Sequence, residues 1–301
     1  MSFRRLVSYG EETDYGVAPT DVGKWIGLVT TFRGGVEQAG DVYAALDSDR
    51  KKRPMIHGID VSPHLEYYVQ TAQFLKYAFG KVTTTQPDPT NLPDVYEHTL
   101  EISPDYVLPS ITLLEHRIGN PVHGFQYLGS RVESLELSWD EDGFLTASMD
   151  FIAQKVEKVT SLPTVTPLDV EPFKASQKIV TINGVQNDYV VSGSISLTNN
   201  HVKYPRSGDW IRGAVADRVD LEASLDIFYI DSTILELMLN KTKFDVSIKF
   251  ARGDHDWIEI QLLGCYATVE AELPAEGELM QTLTLKPSDL KIKAQDNISE
   301  Y

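Results

Sequence analysis

The 301-residue chain has a single cysteine, Cys265, so it can form no intrachain disulfide and no cysteine-rich zinc site, and it is expected to fold in a reducing compartment. Basic residues are scarce: 27 Lys and Arg stand against 44 Asp and Glu, a formal net charge of −17. Counterion release, the main driver of duplex binding, therefore has the wrong sign, and a protein that grips nucleic acid is disfavoured. No apolar run approaches the roughly 18 residues of a spanning helix, and none follows Met1–Arg5, so neither a membrane helix nor a secretion signal is expected.

Catalytic signatures are missing as well. There is no nucleophile elbow, no dinucleotide-binding glycine fingerprint and no phosphate-binding loop. The histidines (His57, His64, His98, His116, His123, His201, His255) show no paired spacing that would put two ligands on one helix face. Asp254-His255-Asp256 follows Gly253 between two strand-like runs and reads as a polar hairpin tip. Cys265 falls on an apolar strand phase, as a buried small residue does. The expectation is a non-enzyme with no catalytic residue, no metal and no cofactor.

What the chain does have is enough apolar material, 42% of residues, for a large core. Residues 1 to about 55 are rich in turn residues and read as an arm, with one strand at Trp25–Phe32. Ser62, Pro63 and Gly80 bracket Leu65, Tyr68, Ala72, Leu75 and Phe79 at helical spacing, which predicts a helix over 63–79. Thr83–Asp94, broken by Pro87, Pro89 and Pro93, reads as an exposed loop. From Tyr96 the period changes to two, with strands expected near 96–102, 111–117, 125–139, 143–157, 189–198, 215–230, 244–250, 257–262, 266–273 and 279–285. A short helix is expected at Ser232–Leu239, and a Pro-rich connector, Ser161–Pro172, divides the chain near its middle.

Sliding the sequence on itself by 134 residues lays Val132–Phe151 over Tyr266–Leu285 without a gap, with Gly143 on Gly277. Apolar positions coincide (Leu135 with Val269, Met149 with Leu283), and so do polar ones (Glu136 with Glu270, Ser148 with Thr282). Leu128-Gly129 and Leu263-Gly264 precede the two hairpins after a one-residue slip. The residues alternate to the core positions in these strands are acids and hydroxyls with no Lys or Arg: Ser134, Glu136, Ser138, Asp140, Thr146, Ser148, Asp150, Asp220, Glu222, Ser224, Asp226, Thr268, Glu270 and Glu272; extending the phase by one residue admits Arg218. Solvated faces normally mix both signs, so a one-sign face suits a surface that must pass a polyanion without holding it.

The run LGSRVESLELSWDEDGFLTASMDFIAQ, the segment ending FLKYAFG, the strand VSGSISLTNN and the stretch GAVADRVDLEASLDIFY together resemble the tail tube (major tail) proteins of long-tailed bacteriophages and related viruses, over about residues 55–287. The resemblance implies a mainly β fold: a duplicated tail-tube β-sandwich or partial barrel, each copy with one flanking α-helix, plus an N-terminal arm and long loops. The domains would be 1–160, a linker at 161–172, 173–290, and a C-terminal tail at 291–301. It further implies a structural virion protein, assembled in the host cytoplasm, whose rings stack into the hollow tail that conducts DNA. The partners would be the chain itself, as a homotrimeric ring of pseudo-sixfold symmetry or alternatively a homohexamer, together with tail terminator, tail tip and tape-measure proteins. DNA would pass without specific binding, and no membrane is involved. The acidic residues expected to face the lumen are Glu136, Asp150, Asp220, Glu222, Asp226, Glu270 and Glu272. The rival reading is a β-sandwich carbohydrate- or receptor-binding module of a tail tip, which would need grouped exposed aromatics; the 14 tyrosines are dispersed instead.

Overall fold

The computed structural model describes residues 4–44, 51–105, 107–119, 121–228, 236–237, 239–271 and 280–301. The first half runs β1 (Arg4–Glu11), β2 (Lys24–Trp25), β3 (Leu28–Arg33), β4 (Val36–Ala44), β5 (Lys51–Val61) and β6 (His64–Tyr68). A 3-10 turn (Gln73–Leu75) then leads into α1 (Lys76–Phe79), β7 (Gly80–Thr85), β8 (Tyr96–Ile102), β9 (Ile111–Ile118), β10 (His123–Trp139), β11 (Thr146–Ile152) and β12 (Lys155–Val159). The second half runs β13 (Lys178–Ile182), β14 (Val185–Gln186), β15 (Val190–Thr198), β16 (His201–Lys203), β17 (Arg206–Ser207), β18 (Trp210–Ile211), β19 (Ala214–Ala216) and β20 (Asp220–Phe228). It ends with β21 (Phe244–Gly253), β22 (Asp256–Ala271), β23 (Met280–Lys286) and β24 (Asp289–Asp296).

The pairing of the core strands in the first half recurs in the second. β1 pairs with β2 and β9, β9 with β10, and β10 with β12; likewise β13 pairs with β14 and β21, β21 with β22, and β22 with β24. β3–β6–β11–β10 is matched by β15–β20–β23–β22. Irregularities recur as well. The β3–β6 ladder bulges between Val29 and Thr31, opposite Tyr67 and Glu66, and the β15–β20 ladder bulges between Val190 and Ser192, opposite Ile227 and Asp226. The hairpin registers also coincide, Leu135 opposite Met149 and Val269 opposite Leu283. The one-residue slip in the sequence has a physical counterpart: the β10–β11 ladder bulges between Val132 and Ser134, while β22–β23 runs on without a shift.

β10 and β22 each serve two sheets. Residues 124–128 of β10 pair with β12 and residues 134–139 with β15; residues 257–263 of β22 pair with β24 and residues 266–271 with β23. The change of sheet falls at Gly129 (φ 64°) and Gly264 (φ 60°), where the left-handed backbone turns the strand at little cost to glycine alone. Because β10 also pairs with β15, the two four-stranded units merge into one central sheet, β3–β6–β11–β10–β15–β20–β23–β22. Its apolar face carries Leu65, Leu135, Leu137, Met149, Ile195, Leu225 and Leu283, all buried against the flanking sheets.

Several expectations from the sequence are corrected. Residues 64–68 are a strand, not part of a helix: Leu65, Tyr67 and Val69 are buried while His64, Glu66 and Tyr68 stay half-exposed, a period of two that the coincidental i, i+3 spacing concealed. Only the last turn, Lys76–Phe79, is α-helical, stopping at Gly80 as expected. It inserts an aromatic plug: Phe74 meets Tyr9 at 4.9 Å, Tyr77 at 5.5 Å and Tyr67 at 5.7 Å between ring centroids. The expected N-terminal arm begins instead as β1, whose Val7, Ser8 and Tyr9 are buried against β9, and β4 and β5 pair as a separate two-stranded sheet. Finally, residues 291–301 begin inside a strand. Leu290, Ile292 and Ala294 alternate inward, β24 joins β22 to β8, and the Tyr301 ring stacks on His98 at 3.6 Å. The strand expected at 143–157 is two strands, β11 and β12, and those expected at 257–262 and 266–273 are one, β22, as far as Ala271, with 272–273 outside the described residues.

Candidate functional site

The polar face of the central sheet is built by the same alternation that buries its other face. Across the ladders, Glu66, Ser148, Glu136, Ser196 and Glu222 lie in one row, and Arg33, His64, Asp150, Ser134, Thr198 and Asp220 in the next. A third row takes in Ser192, Asp226, Thr282 and Glu270. In these rows hydroxyls lie between the acids, and in the second row His64 flanks Asp150, so no carboxylate stands directly opposite another. Like charges at opposed positions would destabilise the ladder, whereas carboxylates two strands apart are separated by about 10 Å.

The hydroxyls hold the carboxylates in place. Ser192 and Thr282 donate to Asp226 at 2.6 and 2.8 Å, and Ser134 donates to Asp150 at 2.9 Å. Asp220 accepts from Asn200 at 2.8 Å and from Arg218 at 3.1 Å, and these bonds hold its carboxyl below the usual range. His64 reaches Asp150 at 2.8 Å and Glu66 at 3.3 Å. Hydrogen bonds from Thr31 and then His64 lower the Glu66 carboxyl. At neutral pH the face is a fixed array of acceptors and negative charge.

Of the seven acids singled out from the sequence, Glu136, Asp150, Asp220 and Glu222 are exposed on this face and Asp226 is half-buried on it. Glu270 shares its register, opposite Thr282, and Glu272 lies outside the described residues. Arg33, His64 and Glu66 were missed because their strands read as an arm and a helix; the alternation of His64-Leu65-Glu66-Tyr67 was the available signal. Elsewhere, Ser8 lies 2.7 Å from His116 Nε2, but its hydroxyl donates to the Val22 carbonyl at 2.5 Å and both residues are buried, so the pair is a structural tie.

A sequence of this pattern matches the model of the family described as Phage tail tube protein over residues 2–285. The chain belongs to the phage tail tube protein family. No curated protein matches it. This tail tube protein is therefore a structural component of the virion tail, and its mainly β fold is the one expected of the family. Among the described residues, no group of His, Cys, Asp and Glu could hold a metal ion, and no helix is long and apolar enough to cross a membrane.

Proposed function

We propose that the chain carries two copies of one tube unit, and that three chains close edge to edge into a ring of six units whose stacked copies conduct DNA. The observation that carries this reading is the β10–β15 ladder, in which the last strand of one four-stranded unit pairs with the first strand of the next. The same two edges, β22 and β3, are left at the ends of the central sheet, ready to repeat that pairing between chains. The polar face would then run round the lumen, with Glu136, Asp150, Asp220, Glu222, Asp226, Glu270 and Glu272 as an acidic wall. At physiological salt its repulsion of phosphates decays over about 8 Å, so DNA is kept off the wall with no long-range barrier to entry.

The test is Glu136→Lys with Glu270→Lys in assembled virions. Glu136 is exposed and Glu270 shares the polar strand phase, so tubes are expected to form, while the new cationic rings slow or arrest DNA ejection. Ejection at the unaltered rate would remove these residues from the lumen.

A further inference from the structure

One corner of the polar face brings titratable groups together where the other half of the chain has hydroxyls. On β6, His64 lies opposite Asp150 of β11 and opposite Arg33 of β3. Its Nδ1 stands 2.8 Å from Asp150 Oδ1 and its Nε2 stands 3.3 Å from Glu66 Oε1, so each ring nitrogen faces a carboxylate. Both carboxylates are anchored from outside the corner, Asp150 by the Ser134 hydroxyl at 2.9 Å and Glu66 by the Thr31 hydroxyl. In the matching corner of the second half, the row Ser194–Ser224–Thr284 stands where Arg33–His64–Asp150 stands in the first. Asp226, at the place of Glu66, is held there by the Ser192 and Thr282 hydroxyls.

A neutral imidazole carries one N–H, so it can donate to only one of two carboxylates and turns a lone pair toward the other. An imidazolium donates to both, and each bond is charge-assisted. Arg33 is the charged group that faces the ring from β3, and it opposes a second positive charge. Against it stand Asp150 from β11 and Glu66 from β6 itself, both within reach of the ring. Arg33 also acts on Glu66, after Thr31 and His64, so part of its charge is already answered. The His64 side chain is 23% exposed, which leaves the ring open to proton exchange with solvent.

We infer that His64 is a proton-dependent clasp on the polar face: with both ring nitrogens protonated it joins Asp150 of β11 to Glu66 of β6, and on losing one proton it releases one of the two. The corner then passes from a net charge of −1, two carboxylates and one imidazolium, to −2, and a carboxylate is freed on a face that is already acidic. Both contacts need the second ring proton, so the contribution to stability is complete below the ordinary imidazole range, about pH 6.5, and is lost as pH rises through the point where the folded chain gives up that proton. The clasp lies within one chain, and it stands or falls independently of ring closure and of which way the face is turned.

The full-length chain with 15N-labelled histidines tests it, the His64 signals being identified by their loss in His64→Gln. The titration midpoint of His64 is expected to move to lower pH in Asp150→Asn, to do so separately in Glu66→Gln, and to move furthest in the double variant. A midpoint that either single substitution leaves in place would overturn the two-sided contact. Thermal scans give the second readout: the wild-type chain should melt about 1–3 °C above His64→Gln near pH 5.5, and the gap should close near pH 8.5. A gap of equal size at both pH values would make His64 a fixed structural tie and overturn the clasp.

Discussion

Gly193 faces the Trp139 ring and the Leu225 side chain so closely that a Cβ there would stand 2.6 to 2.7 Å from both. Neither neighbour can withdraw, since both are buried in the core, so Gly193→Ala is expected to cost about 1–3 kcal/mol by overpacking, read as a lower denaturant midpoint with an unchanged slope. An unchanged midpoint would show that the joint is loosely packed. Glu101 on β8 lies 2.7 Å from Lys291 on β24 and also pairs with Lys81, and these hydrogen bonds lower its carboxyl from 4.5 to about 2. A carboxyl depressed in the folded state contributes stability that is complete above its unfolded value and lost as pH falls through its folded one. Thermal scans should therefore find Glu101→Gln less stable at neutral pH, with the gap narrowing below about pH 4.5 and closing near pH 2. At this scale the acidic positions were legible because alternation alone assigns a face. Asn199 was not legible. It is buried and bonds the carbonyls of Ala78 and Val132 at 3.3 and 3.0 Å, tying the α1 turn to β10, and nothing in TNN announces partners 121 and 67 residues away.

Among the elements, the two long strands that change sheets give the sharpest contrast. Gly129 and Gly264 share a left-handed backbone, but a Cβ at Gly129 would also meet Gln154 at 2.8 Å and Tyr15 at 2.9 Å, whereas the nearest atom at Gly264 is the Ser288 hydroxyl at 3.1 Å. Gly264→Ala is expected to cost about 1–2 kcal/mol of backbone strain, and Gly129→Ala measurably more. Equal costs in chemical denaturation would mean that Tyr15 and Gln154 yield freely. The strands themselves were legible from Tyr96 onward wherever one face is wet and one dry. In the first seventy residues only the strand expected at Trp25–Phe32 was, seen as β2 and β3; β6 was not, because Pro63 and Ser62 serve a strand entry in place of a helix cap, Ser62 bonding Gly35 across the neck of the β4–β5 hairpin. Tertiary pairing with β3 and β11 decided the conformation of β6 against its local signals.

For the whole molecule, the repeat proposed from twenty residues of sequence has a counterpart in the pairing of the core strands, which sequence identity alone could not reveal because only the hairpin kept its spacing. Different insertions interrupt the two halves: the β7–β8 ladder follows α1 in the first, while the β16–β19 pair and a short helical segment that includes Glu236 and Leu237 belong to the second. β8 then packs its edge against β24, so the halves are fastened by this ladder as well as by the central sheet. With β3 and β22 at the two ends of its central sheet among the described residues, a chain fastened twice suits the ring closure proposed above. The most direct measurement is a cryo-electron microscopy reconstruction of the assembled tube at side-chain resolution. Three chains per ring, with the face bearing Glu136, Asp150, Glu222 and Asp226 turned toward the lumen, is the expected result; six chains per ring, or that face turned outward, would contradict it.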